Sequence, residues 1–387
     1  MLCLEDNIVS FVPSRLGYSD GKLALLDCGT DALISLMKSP RTAAGVVIPS
    51  RAATKGYIQA LAMLRSCVSL GNVGMDECIG AIGLLGMFDT LVRDRLRATV
   101  DCFKHWRGVS AIICQDPLKS SNNVFAQAPA APFGGGILSF IIPCFQGRAS
   151  PFDGAAGWSE MPPLSAMGSR EAVRLNRVSY RLFVRLPRLV CLVRQWKDGE
   201  LSDLDNEDEM KQLANELTAS EDRDAEFRLL DRTLACPTQD PATSRITPES
   251  IRMTSAREAA TALCYWQTRI IALKLMDTVE MGSTPYRHTE ETRIAMNILK
   301  ACEYTESCGY CATASVAIAL VTVWLVFGLN SDGQGKFTDD LAESILRTLG
   351  RCWSGAAIGG TREQLDKAAN VLVGGKLEGY FIARVKD

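Results

Sequence analysis

The chain has 387 residues, 47% of them hydrophobic and 22% charged, a balance that can fill a sizeable core and excludes a wholly disordered protein. A net charge of −2 gives no overall attraction for nucleic acid or for an anionic membrane surface. Fourteen scattered cysteines, with no basic-then-apolar signal pattern in Met1–Asp20, read as small core residues of an intracellular chain (nucleus or cytoplasm) rather than as secreted disulfides.

Taken in order, Asp31–Met37 has an N-cap residue followed by an apolar face, and Pro40 ends it. Ser50–Leu70 puts Tyr57, Leu61, Leu64 and Val68 at helical spacing, with Arg51, Lys55 and Arg65 on the outside. Asp76–Leu91 opens on two acids, which favour a helix N-terminus, and continues through Ile79, Ile82, Leu85 and Phe88. Arg93–Gln115 is a further amphipathic stretch, closed by Pro117. Asp116–Ser169 then carries Gly134-Gly135-Gly136 and seven prolines, too many breakers for a long helix. Within it, Ile137–Ile142 is expected to be a short buried helix or strand.

Helix is expected again over Ser169–Trp196, kinked or broken at Pro187. Asp198–Glu209 is acidic and reads as a solvated loop or weak helix, Glu221–Arg232 as a helix and Cys236–Pro248 as a loop. Thr254–Met276, Glu290–Tyr304, Phe337–Trp353 and Thr361–Val373 complete the helical series. Ser307–Ser331 contains no charged residue, and its centre reads CATASVAIALVTVWLVFGL. That run is long enough to span a bilayer, but it stands alone, without flanking Lys or Arg, and includes Thr313, Ser315 and Thr322. A helix apolar on all sides needs protein or lipid around it, and the reading here is protein.

No repeat and no run of alternating strands appears. The expected fold is all-α: a single large multi-helix domain of antiparallel helices around a buried apolar helix. Its parts are an N-terminal extension (1–30), a first helical half (31–115), the Pro/Gly-rich connection (116–169) and a second helical half (170–387).

Several of these segments, in this order, resemble the regulatory (middle homology) domain of fungal zinc-cluster transcription factors. The resemblance rests on Tyr57 leading into Ala60-Leu61-Ala62-Met63-Leu64-Arg65, on Asp76–Phe88, and on His105-Trp106-Arg107-Gly108 with Ala111-Ile112-Ile113. Arg174–Arg185 and Tyr265-Trp266-Gln267-Thr268-Arg269-Ile270 continue it. The family's DNA-binding module needs six cysteines around two zinc ions. Before Asp27 this sequence has Cys3 alone and no basic cluster, so direct specific DNA binding is not expected.

Chemistry-bearing motifs are sparse. Cys308-Gly-Tyr-Cys311 has the spacing of half a zinc site or of a redox pair, but no fourth Cys or His stands nearby. Two core cysteines at the head of the apolar helix is the reading adopted, and neither metal nor cofactor is expected. His105 and His288 are the only histidines; His105 is assigned to packing beside Trp106 and His288 to the surface. The triple glycine lacks the Lys-Ser/Thr of a phosphate loop. Arg170, Arg174, Arg177, Arg181, Arg185 and Arg188 recur every three or four residues, a helical face that is either solvated or paired with the acidic segment after it.

Two roles remain. In the first, the chain is a transcription-factor-like regulatory domain without its DNA-binding module, a co-regulator or ligand-responsive protein of secondary metabolism working through a protein partner. In the second, it is a cofactor-free biosynthetic enzyme of the cyclase or pericyclase type, or a binding protein, holding a small apolar molecule in a pocket. His105, Trp106, Tyr265, Trp266, Trp324 and Trp353 are the candidate lining of that pocket.

Overall fold

The computed structural model describes residues 24–40, 47–70, 75–92, 108, 140–154, 169–201, 204–308, 310–328, 336–353 and 361–377. Apart from one two-stranded sheet, their regular structure is helical. The chain divides into two compact units, one covering residues 4–131 and 155–158, the other residues 1–3, 132–154 and 159–387.

In the N-terminal unit, α1 (Ala24–Met37), α2 (Arg51–Leu70) and α3 (Met75–Val92) pack on one another. Helix α1 begins seven residues before the expected Asp31 cap (31 minus 24). Its start is stabilised from outside, where the buried Glu77 carboxylate of α3 accepts the Leu25 backbone N–H at 3.0 Å. A negative group at that end offsets the unpaired N–H groups of the first turn. Tyr57 and Phe88 lie with ring centroids 4.6 Å apart, and the Tyr57 hydroxyl donates to Asp89 at 2.8 Å. Gly56 lets α1 and α2 approach closely, since a Cβ there would stand 3.1 Å from that of Ala32. The expected core stripe of α2 is partly wrong: Ala53, Ala60 and Leu64 are buried, whereas Val68 is 53% exposed. The expected helix over Arg93–Gln115 lies outside the described residues, except for Gly108.

The C-terminal unit begins with a short helix, α4 (Ile142–Gln146), around which Phe140, Cys144 and Phe145 are fully buried. Of the short apolar segment expected over Ile137–Ile142, only Phe140–Ile142 are described, and they lie at the helical start of α4. Helix α5 (Arg170–Lys197) is capped by Ser169, whose hydroxyl accepts the Ala172 N–H, and it runs unbroken through Pro187. An interior proline costs a helix about 3 kcal/mol. Leu182, Phe183, Leu186, Leu189, Val190 and Val193 are buried on both sides of it, and that burial outweighs the missing hydrogen bond. Helix α6 (Leu204–Ala219) starts inside the acidic segment expected to be a loop or weak helix. The arginine face of α5 explains its stability: Arg188 pairs with Glu209, and Arg185 with Glu216, both at 2.5 Å.

After α7 (Arg223–Leu230) the expected loop, Cys236–Pro248, is bracketed by an antiparallel ladder, β1 (Leu234–Pro237) on β2 (Glu249–Arg252), and holds a single turn of helix, α8 (Pro241–Ser244). Strands this short show no alternating pattern and are not stable alone. They are held by Glu303, whose carboxylate accepts the backbone N–H groups of Gln239 and Asp240 and the Ser250 hydroxyl.

Five helices among the described residues complete the unit: α9 (Ala256–Val279), α10 (Pro285–Ser307), α11 (Tyr310–Phe327), α12 (Lys336–Trp353) and α13 (Arg362–Leu372). Helix α11 is the uncharged run. It packs against α9, α10, α12 and α13, and Val316, Ala317, Ala319, Val321, Val323 and Trp324 have no exposed surface. Protein encloses it, as expected. The Thr322 hydroxyl bonds back to the Ala319 carbonyl at 2.7 Å, and that of Ser315 accepts the Cys264 thiol of α9 at 3.9 Å. Among the described residues no helix is long and apolar enough to cross a membrane. Helix α9 shares the interior and is buried from Glu258 to Val279 along nearly its whole circumference.

Gly328 ends α11 directly against Trp324, and a Cβ there would overlap the indole ring. Gly328→Ala is therefore expected to destabilise the protein by about 1–3 kcal/mol through overpacking, read as a lower urea midpoint.

Candidate functional site

The chemistry of the C-terminal unit gathers along α9. Ser255 caps that helix by accepting the Glu258 N–H, and the helix then presents Tyr265, Trp266 and Arg269 to α6, α7 and α10. The Trp266 indole donates to Glu226 at 2.7 Å, and Arg293 from α10 donates to both oxygens of the same carboxylate at 2.9 and 3.0 Å. Arg293 also reaches Glu290 at 2.8 and 3.0 Å, so one guanidinium bridges two acids. These bonds, the Glu290 one foremost, hold Arg293 charged against the effect of burial and raise its pKa. Burial works against the Glu290 carboxylate, but bonding to Arg293 outweighs it and keeps the group below its ordinary range. On the rim, the Arg223 guanidinium sits 5.5 Å from the Tyr286 ring centroid.

Arg269 is 3% exposed and acts as a C-cap for a different helix. It donates to the carbonyl of Thr218 in the last turn of α6 at 2.6 Å, to that of Ser220 just past its end at 3.1 Å, and to Glu221 at 2.9 Å. The Tyr265 hydroxyl accepts the Asp222 N–H at 3.2 Å and is pushed up to about 12, chiefly by burial. Asp222 in turn caps α7 and pairs with Arg174 at 2.6 Å.

A second charged group lies at the turn between α9 and α10. Lys274 Nζ is 2.6 Å from Glu291 Oε2, and Arg287 Nε donates to Asp277 at 2.6 Å. Arg287 also donates to the Gly282 carbonyl at 2.9 Å and lies 2.6 Å from Glu280.

Of the expected pocket residues, Tyr265 and Trp266 adjoin on α9 and are directed to α7. Trp324 instead donates from α11 to Asp366 of α13 at 2.7 Å, under the Arg362 guanidinium at 5.2 Å. The three share no hydrogen-bond partner. His105 and Trp106 lie outside the described residues, as does the side chain of Trp353. His288 is exposed, as expected. Cys308 is half-buried, and the side chain of Cys311 is not described. Burial pushes the Cys264 thiol up to about 12, leaving it a poor nucleophile at neutral pH. Among the described residues no three His, Cys, Asp or Glu side chains are placed to hold a metal ion.

A cleft of about 370 Å³ lies in the N-terminal unit between α1 and α2, with Asp27, Cys28, Asp31 and Gln59 on its walls. Of the expected pocket residues that are described, Tyr265, Trp266 and Trp324 do not line it, and its walls mix these polar groups with Ala24, Ala32 and Ala52.

Of the residues that organise the interior, Arg269 lies in the resemblance segment, whereas Glu226, Lys274, Asp277, Glu290, Glu291 and Arg293 were not singled out from sequence. A buried ion pair between two helices leaves no spacing signal, because its partners are far apart in the chain. The one local hint is Glu290 three residues before Arg293. Comparison of the chain with protein families, with curated proteins and with solved structures finds no match.

Proposed function

We propose that the chain is a helical regulatory module of the zinc-cluster transcription-factor type, without a DNA-binding module of its own, that works in metabolism through a protein partner or a small ligand. The observation that carries this reading is the position of Tyr265-Trp266-Gln267-Thr268-Arg269-Ile270. This segment, part of the resemblance, is the junction at which α6, α7, α9 and α10 meet. Tyr265, Trp266 and Arg269 make inter-helix bonds, to Asp222, to Glu226 and to the carbonyls of residues 218 and 220, while Thr268 bonds back within α9. An interior bound in this way supports holding and relaying better than it supports bond-making.

The test is to fuse the whole chain to an unrelated DNA-binding domain and measure a reporter placed downstream of that domain's site. A change in output over the DNA-binding domain alone, lost on Arg269→Ala but kept on Gly282→Ala at the exposed turn, is the expected result. An inert fusion, together with conversion of a lipophilic metabolite by the purified protein, would replace this reading with the cofactor-free enzyme.

A further inference from the structure

The turn joining α9 to α10, residues 280–284, is exposed at every position. It runs into Thr284-Pro285-Tyr286-Arg287, a hydroxyl followed directly by proline and, three residues on, by a cation. Proline-directed protein kinases select acceptors of this pattern, because proline brings no N–H into the substrate groove and the cation seats in an acidic subsite.

The sequence contains four Ser/Thr-Pro pairs, at Ser39, Ser150, Thr247 and Thr284, and the fold separates them. Ser39, Ser150 and Thr247 are 8, 5 and 1% exposed. Their hydroxyls are engaged inside the structure: Ser39 donates to the Ser35 carbonyl, Ser150 accepts the Phe152 N–H, and Thr247 donates to the Glu249 carbonyl. Three positions after them stand Thr42, Asp153 and Ser250, none of them basic. Of the four, Thr284 alone is exposed and alone is followed by the cation.

Its backbone suits the role. Thr284 has φ −84° and ψ 152°, the extended conformation that a following proline favours and that a substrate segment takes in a groove. A Cβ at Gly282 would meet nothing within 4 Å, so the space beside the turn is open. The Thr284 hydroxyl accepts the Arg287 N–H at 3.2 Å and caps α10. Arg287 is the guarded element, its side chain 10% exposed and bound to Asp277, Glu280 and the Gly282 carbonyl. A kinase reaches it when the first turn of α10 unwinds, and helix ends are where local opening costs least.

We propose that Thr284 is a phosphoacceptor for a proline-directed protein kinase that also reads a cation three residues after the acceptor. Thr284 Oγ1 attacks the terminal phosphorus of a nucleoside triphosphate. The new O–P bond forms as the bond to the departing nucleoside diphosphate breaks, and the hydroxyl proton passes to the kinase's base. The product carries a charge of about −2 and three acceptor oxygens at the head of α10. There it meets the positive end of the helix and shares the turn with the Arg287 guanidinium, which already bonds the Gly282 carbonyl. This site does not depend on the regulatory role proposed for the whole chain.

The test is to incubate the whole purified chain with ATP and a proline-directed kinase that prefers a basic residue at that position, and to map phosphate by peptide mass spectrometry. Thr284 is expected to be the main acceptor. Pro285→Ala is expected to slow its modification roughly tenfold or more, and Thr284→Ser, which keeps the cap, to be modified at the same position. A wild-type chain without phosphate on Thr284, or Pro285→Ala modified there as fast as the wild type, would overturn the proposal. The wild-type map stands by itself, so a variant that fails to fold leaves the test intact.

Discussion

Trp324→Ala is expected to lower stability by about 3–5 kcal/mol, the cost of removing a large aromatic side chain from a closed interior. Trp324 has no exposed surface, sits where α11 meets α13, and is enclosed over its ring by Gly328 and Arg362. Truncation removes dispersion contacts, leaves a cavity that stiff neighbouring helices cannot fill, and strips Asp366 of its donor. Trp324→Phe separates these contributions. It keeps most of the volume and loses the hydrogen bond to a half-exposed carboxylate that water can resolvate, at a cost of about 1.5 kcal/mol. The measurement is urea unfolding followed by far-ultraviolet circular dichroism. A cost for Trp324→Ala below that of Trp324→Phe would mean that the apolar helix is not packed as described.

The second large effect is expected at Arg269. Arg269→Ala removes a guanidinium that is 3% exposed and serves the carbonyls of residues 218 and 220 together with Glu221. Breaking a buried charge pair from one side costs about 3–5 kcal/mol, because the partner groups stay behind without compensation. Glu221 is half-exposed and can recover water, which moves the expectation to the lower part of that range. Arg269→Lys is expected to rescue little, since an ammonium on a single stem cannot point at the end of α6 and at Glu221 together. Thermal unfolding should show both variants melting earlier, Arg269→Ala by roughly 10 °C. Equal stability of Arg269→Lys and the wild type would show that charge alone, without the forked geometry, suffices at this junction.

Much of the helix content is legible in the sequence, since apolar residues recurring every three or four positions report which face is buried. Ser169 and Thr361, which open two of the expected helices, do cap them by accepting the backbone N–H three residues later, whereas Thr284 does the same six residues before the helix expected from Glu290. The mismatches share a cause. At Pro187, at the start of α6 and at β1–β2, local preference argued against regular structure, and contacts made elsewhere in the chain reversed it. Phe183 and Leu186 carry the helix past the proline. Arg188 pairs with Glu209 at the end of the acidic segment, and Arg185 with Glu216 further along the same helix. Glu303 gathers the backbone of the connection that holds the two short strands.

The aromatic residues show the same division more sharply. Their burial could be expected from sequence, but not the partners that take up their polar atoms. Trp266 and Trp324 lie on different helices and each ends on a carboxylate, Glu226 forty residues before one and Asp366 forty-two after the other. Both indole N–H groups are thus taken up by carboxylates on neighbouring helices.

The sequence alone settled that this is a helical protein whose uncharged C-terminal run must be enclosed, because periodicity and the absence of charge are local properties that any fold has to satisfy. Which charges are buried, and which acid faces which base across the α9–α10 turn, was decided only when distant segments came together. Pairing energy depends on distance and on the exclusion of water, and neither exists until the chain has closed around them.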